Sequence, residues 1–297
     1  MIRAALRLGI ALVLLFAVSA ATPPQTVRPT DRPFLYRIEG KPASFLYGTI
    51  HVPDDRVLAL RRADVLATEL EFDLKTQEAL RAGLTLPGNQ TLSDVVPPEL
   101  YKRLERYFTS RGAPLASFQR LKLVPLGAVL EMAGYRGGNR VALDEMLIAD
   151  ARRAGKPVEG LERAEEQLAA LDALTPAEQL KVLDEELAEL EKLAPGEPGP
   201  IEKMVRAYVA GDEKALWAES MAYVDPGDPV DAKFVDALFT QRNVRFAERI
   251  DQRLSAQPAR AYFVAIGALH LFGPDGVIAR LEKRGRTLVR LDGSATP

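Results

Sequence analysis

The chain contains two histidines, and each closes the same four-residue motif, Gly48-Thr49-Ile50-His51 and Gly267-Ala268-Leu269-His270. With glycine at about 7% of an average chain, both histidines following Gly at that spacing is expected in roughly one chain in 200. Imidazole is the commonest metal ligand and a proton shuttle near neutral pH. Two imidazoles do not complete a metal shell, so carboxylates must supply the rest. Glu69 and Glu162 are the best placed, each near a short apolar run. Two His with one or two carboxylates and an open position is a catalytic arrangement, in which a bound ion acidifies water and a spare carboxylate takes the proton. Read singly, these residues have plainer readings. Glu69 reads as a solvated strand residue, Glu165-Glu166 and Glu185-Glu186 as helix-surface charges, and Arg242-Asn243 as a surface or interhelix contact. Asp144 reads equally as a first-turn helix charge or a functional group.

The elements that position these residues follow from the pattern. Phe34–Glu39 and Ala43–Ile50 read as a hairpin delivering His51, and Ala261–Ile266 as the strand delivering His270. A strand ending in Gly-x-x-His puts its imidazole at a sheet's carboxyl edge, where open α/β sheets bind ligands. A helix is expected from about Val57 to Ala67. Thr68-Glu69-Leu70-Glu71-Phe72-Asp73 alternates as a strand with Glu69, Glu71 and Asp73 on one face. Residues 75–154 are mostly helical, with a glycine-rich loop at 134–140. A short strand over 158–162 ends in Glu162. Helices follow over 163–171, 176–193 (Thr175 and Glu178 forming a capping box), 201–210, 213–221 and 230–254. Thr287–Leu291 is the last strand. The fold class expected is α+β, α/β-like. One mixed sheet is built from N- and C-terminal segments of a single domain over 34–292, with helical insertions at about 75–155 and 163–254.

Composition bounds the function. At 297 residues, 47% hydrophobic and 27% charged, the chain is globular, and its net charge of −2 offers no basic face to nucleic acid. With no cysteine there is no disulfide, thiol nucleophile or cysteine-rich zinc site. His-Glu-x-x-His, Gly-x-Ser-x-Gly and Walker motifs are absent. Arg3 and Arg7, the apolar run Leu8–Val18 and the small residues Ser19-Ala20-Ala21 have the order of a secretory signal over 1–21. Residues 22–33 read as a tether. The expectation is a periplasmic or secreted protein without a lipid-attachment cysteine or a stable membrane span once the signal is removed.

The blocks together resemble the TraB/GumN family over about Phe34 to Leu291. The matching blocks are the opening hairpin with its Gly-x-x-His, Ala63-Asp64-Val65 through Glu69-Leu70-Glu71, and Leu143-Asp144-Glu145. Gly155 through Glu162, then Glu166-Gln167-Leu168, Arg242-Asn243, and Gly267 through Gly273 complete the set. Glu71 stands where Asp is usual. The family is related to the Tiki metalloproteases, and more distantly to erythromycin-esterase-like and ChaN-like haem-binding proteins. The resemblance implies His51, His270 and Glu69 as metal ligands, and Glu69, Glu162, Arg242 and Asn243 as catalytic residues. Arg242 is then expected to meet a carboxylate or developing oxyanion. The implied ion is manganese or cobalt, with zinc as the alternative, and the substrate a peptide or small molecule. The competing reading is a non-catalytic periplasmic protein that holds haem, metal or peptide in the same cleft.

Overall fold

A computed structural model of the chain describes residues 33–50, 58–135, 143–194 and 196–291. The expected signal, His51 and most of the glycine-rich loop lie outside the described residues. Six strands form one mixed sheet: β1 (Leu35–Ile38), β2 (Ser44–Thr49), β3 (Val65–Thr68), β4 (Val158–Gly160), β5 (Tyr262–Gly267) and β6 (Leu288–Arg290). Their order across the sheet is β4-β3-β5-β2-β1-β6. The four strands from β4 to β2 run parallel, and β1 and β6 are antiparallel additions at one side. This is the α+β architecture expected from the sequence, with helices filling the interval between β3 and β4 and that between β4 and β5.

The sheet is covered on both faces, which is why its central strands read as continuous apolar runs. Alternate side chains of β5 divide between two cores. Tyr262, Val264 and Ile266 pack with Phe246, Ile250, Met204 and Val277 on one face. Phe263 and Ala265 pack with Leu143, Leu147 and Ala151 on the other. A separate helical core joins Leu104, Phe108, Leu126, Leu183 and Leu187. Among the described residues, no helix is long and apolar enough to cross a membrane.

Local readings differ from the structure in several places. The strand after the first motif is Val65–Thr68 rather than Thr68–Asp73, and the helix before it is confined to Leu58–Arg62. The apolar quartet Val65-Leu66-Ala67-Thr68 fills a central position in the sheet. The chain then turns away, Thr68 Oγ1 donating to the Leu70 carbonyl at 2.6 Å. Glu71 is therefore exposed, and Asp73 caps the next helix. The expected helix 230–254 is a run of Pro229–Val235, a π turn at Asp236–Thr240, and Gln241–Ala256. Finally, Glu186 is buried rather than on the surface, and Glu166 is paired with Arg249.

The two motif strands are neighbours. β2 and β5 pair in parallel with Gly48 opposite Ile266 and Thr49 opposite Gly267. Gly48 is required by close packing, because a Cβ there would stand 2.6 Å from Leu271 Cδ1 and 3.0 Å from Ala268 Cα. The turn of the second motif thus lies directly on the glycine of the first. Gly48→Ala is expected to cost about 1–3 kcal/mol through overpacking, read as a lower urea midpoint with an unchanged slope. An unaltered midpoint would show that this contact yields freely.

Candidate functional site

Three adjacent parallel strands deliver their following residues to one edge. The ladder between β3 and β4 continues past the strands, with Leu161 N–H donating to the Thr68 carbonyl at 2.7 Å and Glu162 N–H to that of Glu69 at 2.9 Å. Glu69 and Glu162 therefore leave the sheet side by side. On the other flank of β3, the Gly267 amide at the end of β5 donates to Glu69 Oε1 at 2.7 Å. A Cβ on Gly267 would stand 3.2 Å from that oxygen, so this glycine gives the carboxylate access to the backbone. A short 3-10 turn, Ala268–His270, then carries His270 back over the edge.

The helix Gln241–Ala256 and the π turn before it close the site. Phe239, Arg242, Asn243 and Phe246 lie at i, i+3, i+4 and i+7, and all four touch His270. The Phe239 and Phe246 rings each stand 5.1 Å from the imidazole. Asn243 Oδ1 lies 2.6 Å from His270 Nδ1, and Arg242 Nη1 lies 3.1 Å from His270 Nε2. Arginine only donates, so Nε2 must accept and the ring proton belongs on Nδ1, where Asn243 Oδ1 receives it. The amide orientation is fixed in turn, since Asn243 Nδ2 donates to the Asp275 carbonyl at 3.0 Å. Burial first, and then the Arg242 charge, hold the imidazole pKa well below its usual value. His270 is thus a neutral, single-tautomer imidazole with its Nε2 lone pair turned into the charged cluster.

Arg242 is buried at the centre of that cluster, neither the surface nor the interhelix contact that the residues alone suggested. Nε donates to Glu162 at 3.1 Å, and Nη2 donates to Glu162 Oε1 at 2.5 Å and Glu69 Oε2 at 2.7 Å. Nη1 donates to the Leu238 carbonyl at 3.3 Å and to His270. All five N–H bonds are taken, so none is left for a substrate carboxylate or oxyanion. Burial works against the guanidinium charge, but the carboxylates of Glu162 and Glu69 outweigh it and raise its pKa. The Glu162 carboxyl is pushed up by burial, with Arg242 opposing; its side chain is fully enclosed and Gln167 Nε2 donates to it at 3.2 Å. Glu69 is the more accessible of the two, its side chain 10% exposed.

The structure therefore brings together Glu69, Glu162, Arg242, Asn243 and His270. His51 is outside the described residues, although Thr49, two positions earlier, ends β2 at the same edge and donates from Oγ1 to Asp144 at 3.0 Å. Phe239 and Phe246 were not singled out by sequence reading, and Gln167 entered only within the block Glu166-Gln167-Leu168. The spacing of the two phenylalanines around Arg242-Asn243 is the signal that was available.

The donor types at this edge, an imidazole and a carboxylate, are those a divalent ion takes, although Arg242 Nη1 here occupies the imidazole Nε2. A neutral imidazole whose far N–H is held by an amide oxygen is the usual second-shell arrangement of a metal-ligating histidine. Glu69 Oε1 is 3.9 Å from His270 Nε2. Among the described residues no group of three or more His, Cys, Asp or Glu is gathered as a metal site, so further donors would have to come from outside them.

The depressed imidazole pKa has a consequence for stability. Below about pH 6.5 an unfolded histidine takes up a proton that folded His270 refuses, so acid favours unfolding. Between pH 7.5 and 5.5 this one group is expected to cost about 1.4 kcal/mol, seen as a falling urea midpoint that flattens in His270→Gln. The same pH dependence in the native sequence and in His270→Gln would contradict a neutral His270.

Fold and edge together define an α+β protein with a buried acid–arginine–histidine cluster at the carboxyl ends of parallel strands. The model of the TraB/PrgY/gumN family matches residues 34–290, and the chain belongs to that family. It is 29% identical to Metalloprotease TIKI1 of Danio rerio, aligned over 85% of this chain and 62% of the relative. It is 27% identical to the Metalloprotease TIKI homolog of Amphimedon queenslandica, over 90% and 63% of the two chains. The chain thus spans about three-fifths of the length of these relatives. Uncharacterized protein YbaP of Shigella flexneri is 27% identical over 80% of this chain and 86% of its own. No solved structure matches the chain.

Proposed function

We propose that the protein is an exported, divalent-metal-dependent hydrolase acting on peptides. The observation that carries this reading is the neutral His270 imidazole, its Nδ1–H held by Asn243 and its Nε2, which here accepts from Arg242, 3.9 Å from Glu69 Oε1. Metalloprotease is also the activity by which the Tiki relatives are named. His51, His270 and Glu69 are the ligands in this reading, for manganese or cobalt ahead of zinc. When bound, such an ion would acidify a water and polarise a peptide carbonyl.

The chain's own residues do the rest. Asn243 keeps the His270 lone pair directed into the site. Each Glu69 oxygen accepts one protein hydrogen bond and retains a second lone pair, so the same carboxylate serves as ligand and proton acceptor. Glu162, enclosed and held by Arg242, is the counter-charge that keeps the guanidinium in place. Arg242 fixes the relative positions of the other three. Phe239 and Phe246 exclude water from the imidazole faces. The competing haem-binding reading is disfavoured by the 1% exposure of His270, which leaves no face open for a macrocycle; a small ion would in turn require Arg242 Nη1 to give up Nε2.

The test uses protein purified without an affinity tag. Metal content near one per chain and peptide cleavage stimulated by Mn²⁺ or Co²⁺ are expected, and both should vanish in a His51→Ala, His270→Ala double variant. Retained cleavage by that variant would refute the assignment. Export is supported by the charge and apolar order of residues 1–21. Fractionation of expressing cells should find the protein outside the cytoplasm, shortened at its N-terminus.

A further inference from the structure

The helix that carries Arg242 and Asn243 presents further arginines along one stripe. Arg242, Arg245, Arg249 and Arg253 are spaced by three, four and four residues. Opposite them, the chain leaving β4 carries Glu159, Glu162 and Glu166, spaced by three and four. The two series interlock. Arg253 Nε donates to Glu159 at 2.9 Å and its Nη2 to the Gly160 carbonyl at 2.8 Å. Arg249 Nη1 donates to the Leu161 carbonyl at 2.7 Å, while Nη1 and Nη2 grip both oxygens of Glu166 at 2.8 and 2.7 Å. Arg245 stands 3.6 Å from Glu162. Arg249 holds the Glu166 carboxyl down at about 2, so this pair stays ionised through the acid range.

The two carbonyls seized by Arg249 and Arg253 belong to the residues just before Glu162. β4 is a three-residue edge strand, half-buried and paired with β3 alone. Its ladder runs on through the Leu161 and Glu162 amides to Thr68 and Glu69, which ties this segment on its β3 side, while the arginines take the Gly160 and Leu161 carbonyls. We propose that Arg249 and Arg253 are positioning residues for the site: they lock the backbone at Gly160 and Leu161, and so hold the Glu162 carboxylate where Arg242 can bridge it to Glu69 and His270. Neither arginine touches the reacting groups. They act through Glu162, and the single helix Gln241–Ala256 supplies both the lock and the residues that it aligns. The inference deepens the metal-dependent reading, but its geometric part stands without it.

The experiment is an Arg249→Met, Arg253→Met double variant, compared with the native chain and with Arg249→Lys, Arg253→Lys. Two readouts are followed in protein whose circular dichroism is unchanged: Co²⁺ affinity, and the hydrogen-exchange protection of the Arg242 Nε–H NMR signal, assigned by its loss in Arg242→Lys. The methionine variant is expected to bind Co²⁺ about 10–100-fold more weakly and to lose the protection, with the lysine variant between. A lowered melting temperature with both readouts unmoved would overturn the proposal, leaving the ladder a stabilising surface feature. If the double variant does not fold, Arg253→Met alone, which frees one carbonyl, carries the same readouts. Should the native protein bind no Co²⁺, the metal reading fails and the Arg242 signal alone decides the ladder.

Discussion

Replacing Arg242 by methionine is expected to remove about 3–5 kcal/mol of stability at pH 7, because two enclosed carboxyl groups lose their common partner. Arg242 opposes the burial that raises the Glu162 pKa, so in its absence that carboxyl rises further. A carboxyl raised in the folded state binds its proton more tightly there than in the unfolded chain. The folded state therefore gains relative stability as pH falls toward the ordinary glutamate value, about 4.3. The variant's deficit should shrink between pH 7 and 5, an interval in which the native protein is losing stability through His270. Lysine should rescue only part, since one ammonium cannot reproduce five donors in a planar fork. Urea denaturation at several pH values checks this. A deficit below about 1 kcal/mol at pH 7, or one of equal size at pH 5, would mean that the cluster is more open to water than its burial implies.

The second large effect concerns function. Asn243→Leu keeps the side chain's size and removes the acceptor for the His270 Nδ1–H. Only the Arg242 donation to Nε2 then favours that tautomer, the Nδ1–H is left without its acceptor, and the ring is less firmly held. Loss of such an outer partner costs about 10–100-fold in metal affinity or activity. The expected result is a Co²⁺ affinity and a peptide turnover reduced together by that factor, with a stability loss of only about 1–3 kcal/mol from the broken hydrogen bonds. Full metal binding by Asn243→Leu would show that His270 is oriented by its phenylalanine neighbours alone.

These residues differ in how plainly the sequence announced them. The Gly-x-x-His strands were legible because apolar runs ending in glycine have a local signature, and one sheet of distant segments followed from strands at both chain ends. The adjacency of β2 and β5 was not legible: it joins Leu46 to Val264 through parallel pairing, which has no turn to betray it. The strand before Glu69 was misplaced because Glu69-Leu70-Glu71-Phe72-Asp73 imitates alternation, whereas the true strand, covered on both faces, has none. From its own neighbourhood Arg242 reads as a surface or interhelix contact, because a charged residue within a helix usually faces water. Only its partners, Glu162 at 80 positions and Glu69 at 173, reveal a buried one. The resemblance to a family pointed to Arg242 and Asn243 without saying what they do. Their geometry suggests a role of support, fixing one charge pair and one tautomer.

The account rests most heavily on the state of one imidazole. Because the chain has only two histidines, long-range ¹H–¹⁵N NMR of uniformly labelled protein yields two ring patterns, separable with a His51→Gln variant. In metal-free protein the His270 pattern should be that of the neutral ring protonated at Nδ1, with no titration through pH 6.5. A ring protonated at Nε2, or one titrating with the pKa of a free imidazole, would contradict it.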